Sequence, residues 1–141
     1  MADTIKLDLV TPDRRLVSTE VEDLTAKAVE GEVGILPGHA NYITILETGS
    51  VSFTEGGKKH VIAVSGGFAE VSLDQGIRIM AESAEFAQDI DVERAKAAKE
   101  RAEKRIANYD PKSQEVDVAR AEGALKRALN RLAAAEHAQH E

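Results

Sequence analysis

The chain has 141 residues, no cysteine, and a formal net charge of −7 with a sequence pI of about 5.2. This length suits one ordinary domain, or a smaller domain with an appendage, and the lack of cysteine excludes disulfides, thiolate nucleophiles and cysteine-ligated zinc. The negative charge disfavours nucleic acid and anionic lipid as partners. The four histidines are scattered without paired spacing, so we expect no metal site and no required cofactor.

The apolar runs in this sequence are short. The longest, Tyr42 to Leu46 and Val61 to Val64, could not cross a bilayer. The opening residues MADTIKLDLV have no basic segment ahead of an apolar one, so no secretory signal is expected. We therefore expect a water-soluble chain that is not processed.

Residues 5 to about 84 have the pattern of short β-strands. Apolar residues alternate with polar ones, as in the stretch IKLDL, and turn signals such as Pro37-Gly38 and Gly56-Gly57 separate the strands. This spacing predicts an antiparallel sandwich or barrel. We interpret Gly66-Gly67 as a tight hairpin turn. The residues expected to face the core are Phe68, Val71, Ile77, Ile79 and Met80.

The stretch EGEVGILPGHANY, residues 30–42, is unusually apolar for a loop. Glycines allow a tight backbone, Pro37 fixes a bend, and exposed apolar side chains in a loop are typical of a docking surface. Val33, Ile35 and Leu36 carry that surface. His39 and Glu32 have ordinary alternatives, a turn histidine with local hydrogen bonds and a solvated carboxylate, and neither is placed for catalysis.

After Glu85 the pattern changes to that of a helix. The stretch VERAKAAKERAEKRIAN is rich in strong helix formers and has alanines near helical spacing. In the preceding IDVERA, residues 90–95, Asp91 is a good N-cap and Glu93 lies favourably near the positive end of the helix dipole. These residues can be only a helix start, or Asp91 and Arg94 can also bind a ligand.

A second helix is predicted from about Pro111 or Ser113 to near Glu136, with Asp110 as its N-cap. Pro111 ends the first helix but suits the first turn of the next. The fold class is therefore α+β, an N-terminal antiparallel β-sandwich in residues 1–86 followed by a C-terminal antiparallel two-helix hairpin in residues 87–141. The apolar stripe of the second helix contains Val118, Ala121, Leu125, Ala128, Leu129, Leu132 and Ala135.

Alanine dominates the facing stripes of this hairpin. A buried alanine methyl contributes far less than the roughly 1.5 to 3 kcal/mol of a leucine, so the helices are expected to pack closely but weakly. Because the residues are strong helix formers, the helices could persist after detachment from the sandwich. The sequence is compatible with a mobile arm and equally with a stable cap on the sheet.

Three cations, Lys126, Arg127 and Arg131, stand on the second helix. They can form an ordinary solvated face. If the helices are antiparallel, however, these residues lie beside the start of the first helix, where Asp91 and Arg94 are. Arginines converging on a helix N-terminus suit a polyphosphate, and the carboxylates of Glu85 and Asp91 could accept hydrogen bonds from a base or ribose.

Five stretches together resemble the epsilon subunit of bacterial-type F-type ATP synthase from end to end: LDLVTPDRRLVS, EGEVGILPGHANYITILETG, VSGGFAEV, IDVERAKAAKERAEKRI and RAEGALKRALNRL. Each stretch alone is weak evidence for this family, but all five in this order are specific to it. The resemblance implies a sandwich that binds the gamma subunit and the c-subunit ring and couples rotation to proton flow. It also implies a non-catalytic, peripheral subunit on the cytoplasmic face of the bacterial inner membrane, attached through the complex.

The resemblance assigns roles to particular residues. The loop carrying Glu32 and His39 matches the rotor-side docking loop, and its apolar residues Val33, Ile35 and Leu36 would share that role. The helical pair would switch between a folded form and an extended form that inhibits ATP hydrolysis, in which Lys126, Arg127 and Arg131 face an acidic segment of the beta subunits in the alpha/beta head. ATP would be a regulatory ligand of the folded pair, through the residues Glu85, Ile90, Asp91, Arg94, Ala95, Arg127 and Arg131.

Two other classes of protein remain as alternatives. A small stand-alone hydrolase needs a nucleophile and a base within reach, and the sequence signals no such arrangement. A free adaptor or chaperone-like module would also be acidic, soluble and free of cysteine. A tight gamma partner and retention on membranes that carry the synthase would distinguish the subunit from the adaptor.

Overall fold

The computed structural model describes residues 3–110, 112 and 115–139. Nine strands are followed by a 3₁₀ turn and two helices, which confirms the predicted fold class. The strands are β1 (Ile5–Val10), β2 (Arg15–Val21), β3 (Asp23–Ala28), β4 (Gly31–Ile35), β5 (Tyr42–Glu55), β6 (Lys58–Val64), β7 (Gly67–Ser72), β8 (Gly76–Ala81) and β9 (Ala84–Phe86). The 3₁₀ turn is Ala87–Asp89, and the helices are α1 (Val92–Ala107) and α2 (Glu115–Gln139).

The long strand β5 belongs to both sheets of the sandwich. Its first half, residues 42–46, pairs with β7, and its second half, residues 49–55, pairs with β6. One sheet has the order β2–β1–β8–β7–β5 and the other the order β4–β3–β5–β6–β9. Neighbouring strands are antiparallel except β1 and β8, which are parallel, a detail that the sequence did not predict.

The core lies between the two sheets and contains the predicted Val71, Ile77 and Ile79, all nearly inaccessible to solvent. The prediction was wrong for Phe68 and Met80, which are 38% and 44% exposed. Side chains alternate between the two faces of a strand, so Phe68 cannot share a face with Val71, nor Met80 with Ile79. These two residues lie on the outer surface of the sandwich.

The Gly66-Gly67 pair is a corner of the chain and not the predicted hairpin turn. Strand β6 pairs with β5 and β9, whereas β7 pairs with β5 and β8, so the chain changes sheets between Val64 and Gly67. Gly67 has φ of 124°, and a Cβ built on it would lie 2.1 Å from the backbone oxygen of Met80. The close approach of β7 to β8 requires glycine there.

Gly67→Ala is therefore expected to lower the free energy of unfolding by about 3 kcal/mol or more, because the new methyl meets backbone that cannot move without breaking the pairing of β7 with β8. Gly57→Ala is the matched control, since Gly57 has φ of 77° but open space around its Cβ position. Its expected cost is about 1 to 2 kcal/mol of backbone strain. Urea denaturation measures the loss of unfolding free energy in each variant, and equal losses would contradict the steric explanation.

Helix α1 begins and ends as its sequence dictates. The side chain of Asp91 accepts a hydrogen bond from the backbone amide of Arg94 at 3.1 Å, which confirms the predicted N-cap. Lys104 and Arg105 in the last turn complement the helix dipole.

The connection between the helices is described in part. The side chain of Asp110 accepts a hydrogen bond from the backbone amide of Lys112 at 2.9 Å. Pro111 and Ser113, the predicted starts of the second helix, lie outside the described residues, and α2 continues beyond Glu136 to Gln139.

The alanines between the helices have heptad spacing. Ala95 and Ala102 on α1 are buried, as are Ala121 and Ala128 on α2, and the members of each pair are seven residues apart. Helix α1 packs mainly on α2, so these small side chains form the seam between the two helices. Such a seam allows close packing and buries little apolar area.

Helix α2 connects the hairpin to the sandwich by packing on β5, β6 and the 3₁₀ turn. A second apolar cluster joins the two parts and contains Val61, Ala63, Ala87, Ile90, Ala134 and Ala135, with Val92 packed against it. Within the residues described, neither helix has an apolar stretch long enough to span a bilayer.

Candidate functional site

A charged cleft opens where the sandwich, α1 and α2 meet. Its volume is about 240 Å³. One wall comes from strand β9, one from the N-cap and first three turns of α1 and one from the last part of α2. The lining residues are Glu85, Asp91, Arg94, Ala95, Ala98, Arg101 and Arg131.

The structure brings together five of the seven residues predicted to bind a nucleotide. Glu85, Asp91, Arg94, Ala95 and Arg131 all line the cleft. Asp91 caps α1 and also borders the cleft, so its capping role leaves it in reach of a ligand there. With three arginines and two carboxylates, the cleft carries a small positive excess on an acidic chain. This arrangement suits an anionic ligand that also presents hydrogen-bond donors.

Sequence analysis missed two lining residues, Ala98 and Arg101, of which Arg101 is charged. Arg94, Ala98 and Arg101 stand at positions i, i+4 and i+7 of α1, so they lie on one face of the helix. Ala98 between them leaves space for a ligand. The periodicity of α1 could have revealed Arg101, because a residue two turns after Arg94 must return to the same face.

Arg131 and Glu85 form an ion pair across the cleft, with Nε of the arginine 3.4 Å from Oε1 of the glutamate. Their side chains are 37% and 38% exposed. A pair this accessible to solvent contributes little to stability. Its importance is geometric, because it joins α2 to strand β9 at the edge of the cleft.

Arg127 and Ile90 do not line the cleft. Arg127 borders a neighbouring cavity of about 10 Å³, enough for one water molecule, together with Ser65, Ser83 and Asn130. Its Nη1 atom extends back along α2 to within 3.3 Å of the Cβ position of Gly123, in the direction that helical side chains prefer.

Ile90 is 8% exposed and packs in the cluster that joins hairpin and sandwich, so it anchors the hairpin. Lys126 is exposed and borders neither the cleft nor the small cavity.

The predicted docking loop is partly a strand. Residues Gly31–Ile35 form β4, paired with β3, and the true loop begins at Leu36. Ile35 is 1% exposed and belongs to the core, so it is not part of the exposed surface that the sequence predicted. Alternation along β4 places Val33 partly buried on the same side as Ile35, whereas Glu32 is exposed.

A tight turn presents Leu36 and His39. The amide of His39 donates to the carbonyl of Leu36 at 3.1 Å, Pro37 occupies the second position and Gly38 has φ of 83°, the pattern of a type II turn. Leu36 is 63% exposed at its start. Nδ1 of His39 donates to the carbonyl of Ala40 at 2.7 Å, since a carbonyl can only accept. His39 is thus the locally satisfied turn histidine considered from the sequence.

The outer face of the first sheet carries a second exposed apolar surface. Val10, Ile45, Phe68 and Met80 are in register on four neighbouring strands, and we call them the outer apolar row. Ile45 is 62% exposed. The next row on the same face contains Ile43, Glu70, Arg78 and Asp8, so polar groups border the apolar surface. Exposed apolar patches with polar rims are typical of protein interfaces.

Among the described residues, no group of three or more histidines, aspartates or glutamates is placed to hold a metal ion. The polar groups at the cleft are arginines, carboxylates and the N-terminus of α1. These groups can bind and orient an anion.

Comparisons with known proteins agree with this architecture. The family model of the ATP synthase delta/epsilon chain β-sandwich domain matches residues 4–87, and that of the delta/epsilon chain long α-helix domain matches residues 88–136. The chain is 46% identical over 112 residues to the ATP synthase epsilon chain of Nitratidesulfovibrio vulgaris strain DP4, covering 79% of this chain and 83% of the relative. It is 52% identical over 103 residues to the epsilon chain of Anoxybacillus flavithermus, covering 73% and 76%.

Solved structures show the same fold. A chain in the cryo-EM structure of the Euglena gracilis mitochondrial ATP synthase, containing OSCP, F1 and c-ring, matches with a TM-score of 0.77 and 28% identity, covering 98% of this chain and 82% of that chain. A chain in the Tetrahymena thermophila central stalk and c-ring structure matches with a TM-score of 0.61 at 15% identity, which is a likeness of fold.

These matches define a two-part protein of the rotary ATP synthases, with a β-sandwich and a long-helix domain. The chain belongs to the ATP synthase delta/epsilon chain family, and within that family to the epsilon chains.

Proposed function

We propose that this chain is a non-catalytic subunit of the central stalk of an ATP synthase. Its sandwich stays bound to the gamma subunit and to the c-subunit ring, and so helps to couple the alpha/beta head to proton flow. Its two helices regulate ATP hydrolysis and sense ATP. Attachment through the complex places it at the cytoplasmic face of the bacterial inner membrane. The structural likeness to chains in central-stalk and c-ring assemblies supports this proposal.

The outer apolar row is the proposed surface for gamma. It lies on the first sheet, whereas α2 packs on β5, β6 and the 3₁₀ turn, so docking of the helices leaves the row accessible. Aromatic and methionine side chains such as Phe68 and Met80 are enriched in interface cores. A partner that covers the row would remove this apolar area from water, which stabilises the complex.

Phe68→Asp tests this surface. A charge at the centre of the row is expected to weaken gamma binding by about 30-fold or more, because the carboxylate loses water without gaining a partner. Co-purification with gamma and a binding titration provide the measurement. Lys59→Asp, which also adds an aspartate at an exposed position but on β6, is the control and should bind normally. Normal gamma binding by the Phe68 variant would contradict the assignment.

The c-ring is the proposed partner of the turn at Leu36 to His39, with Glu32 and Val33 beside it. Pro37 restricts the backbone of the turn and Gly38 supplies the positive φ that the turn needs, and the turn presents an exposed leucine and a histidine. Apolar and polar groups together on a fixed turn favour a defined docking contact.

The proposed ATP sensing is based on the elements that form the cleft. Its walls come from β9, α1 and α2, so the site is complete only while the hairpin is docked on the sandwich. A ligand that binds only the docked form shifts the population toward that form, by no more than its difference in affinity for the two forms. ATP at this site would hold the helices away from the catalytic head.

In the extended form, the cations of α2 are proposed to contact the acidic segment of the beta subunits. Lys126 and Arg127 are already exposed in the docked form. Arg131 becomes available when undocking breaks its ion pair with Glu85. Local positive charge on an acidic chain supports attraction to an acidic partner.

A further inference from the structure

Asn130 of α2 makes a hydrogen bond to the backbone of the sandwich. Its side-chain Nδ2 donates to the carbonyl of Gly49 on β5 at 2.9 Å, and it lies 3.5 Å from the carbonyl of Val64 on β6. Both partners are carbonyl oxygens, which only accept, so the amide nitrogen must face the sheet. The side chain is partly buried at this contact.

The position of the two carbonyls makes the contact specific. Gly49 and Val64 are opposite each other at the end of the pairing between β5 and β6, where β5 passes from one sheet to the other. Gly49 is buried, and α2 packs on β5 and β6. A buried carbonyl needs a hydrogen-bond donor in place of water, and Asn130 donates to this one.

The apolar cluster that joins α2 to the sandwich has two buried residues from α2, and both are alanines. Ala134 and Ala135 pack with Val61, Ala63 and Ile90 in the joining cluster. Small methyl groups fit a neighbouring surface in many positions and define the register of the helix poorly. A directional hydrogen bond has one good geometry, so Asn130 determines where α2 sits along β5 and β6.

Asn130 is also adjacent to the cleft. The next residue, Arg131, pairs with Glu85 and lines the cleft. Asn130, Arg127 and Arg131 together border the small cavity beside Ser65 and Ser83. Two neighbouring residues of one helical turn therefore connect α2 to the sheet, one by a hydrogen bond and the other by an ion pair.

We infer that Asn130 is the latch of the docked hairpin: its amide bond to Gly49 fixes the register of α2 and places Arg131 in the cleft. The proposed role of Asn130 in docking the hairpin is a property of the isolated chain. The regulatory consequence rests on the proposed function, since a latch that holds the hairpin docked opposes inhibition.

Distance measurements between two spin labels test the latch. The chain has no cysteine, so Lys59→Cys on β6 and Lys104→Cys on α1 provide a unique pair of exposed labelling sites. Asn130→Ala removes the hydrogen bond and is expected to lower the ratio of docked to undocked hairpin about fivefold, although alanine is the better helix former. Asn130→Asp is expected to lower this ratio about 20-fold or more, because its carboxylate faces two carbonyls. Glu122→Ala, at an exposed position of the same helix, should change nothing.

The outcomes separate the latch from the proposed function. Unchanged label distances in both Asn130 variants, with a folded sandwich by circular dichroism, would overturn the latch. Longer distances together with reduced ATP hydrolysis by the reassembled synthase would support both the latch and the regulation. Longer distances with an unchanged hydrolysis rate would support the latch and reject the inhibitory role of the helices.

Discussion

Removing residues 91–141 is expected to raise the rate of ATP hydrolysis by the assembled synthase several-fold, while the shortened chain still binds gamma. The sandwich core is built from residues between Leu7 and Ala81, so it remains when the helices are removed. The outer apolar row and the turn at Leu36 to His39 also precede the deletion. What is lost is the proposed inhibitory arm with its cations.

Hydrolysis by the purified complex, measured with the full-length and shortened chains, tests this expectation. The amount of gamma retained by each chain shows whether assembly is intact. An unchanged rate with normal assembly would reject inhibition by the helices. A shortened chain that no longer binds gamma would show that the two parts do not divide their roles in the proposed way.

Arg94→Ala is expected to weaken ATP binding by the isolated chain about 10- to 100-fold. Arg94 lines the cleft one turn into α1, where its guanidinium and the positive end of the helix dipole act on the same ligand. A hydrogen bond to a charged group contributes about 1.5 to 3 kcal/mol, which gives this range. Arg101→Ala is expected to act in the same direction, since Arg101 lies on the same face.

Calorimetric titration with ATP measures these changes. Arg105→Ala is the control, because it removes an identical charge from an exposed position of α1 outside the cleft. Arg127→Ala is expected to have a smaller effect than Arg94→Ala, since Arg127 borders the neighbouring cavity. Equal affinities for the parent chain and the Arg94 and Arg101 variants would remove the cleft as an ATP site.

Much of the fold could be predicted from local chemistry. The period of two in IKLDL, the turn residues and the helix formers after Glu85 each act over a few residues, so they are visible in the sequence. Asp91 caps α1 as predicted because an N-cap needs only its own side chain and the amides that follow. Antiparallel packing of the two helices then brings Arg131 near Asp91 and Arg94.

The errors arise where a residue's environment depends on distant parts of the chain. Met80 and Phe68 are predicted in the core because they are apolar. Side chains alternate between the two faces of a strand, however, and these two residues fall on the outer face. Ile35 is predicted at the surface because it is an apolar residue in a stretch with the composition of a loop, yet β4 pairs with β3 and turns it inward. Gly66-Gly67 has the composition of a hairpin turn, but β6 pairs with β5 on one edge and with β9 on the other, so it has no edge left for β7.

The alanine seam between α1 and α2 also affects solubility. Two helices packed through leucines would expose a wide apolar surface on separation, and such surfaces promote aggregation. The buried residues of this seam are alanines, on helices rich in lysine, arginine and glutamate. In the proposed extended form the seam would therefore expose single methyl groups, which favour aggregation less than leucines do.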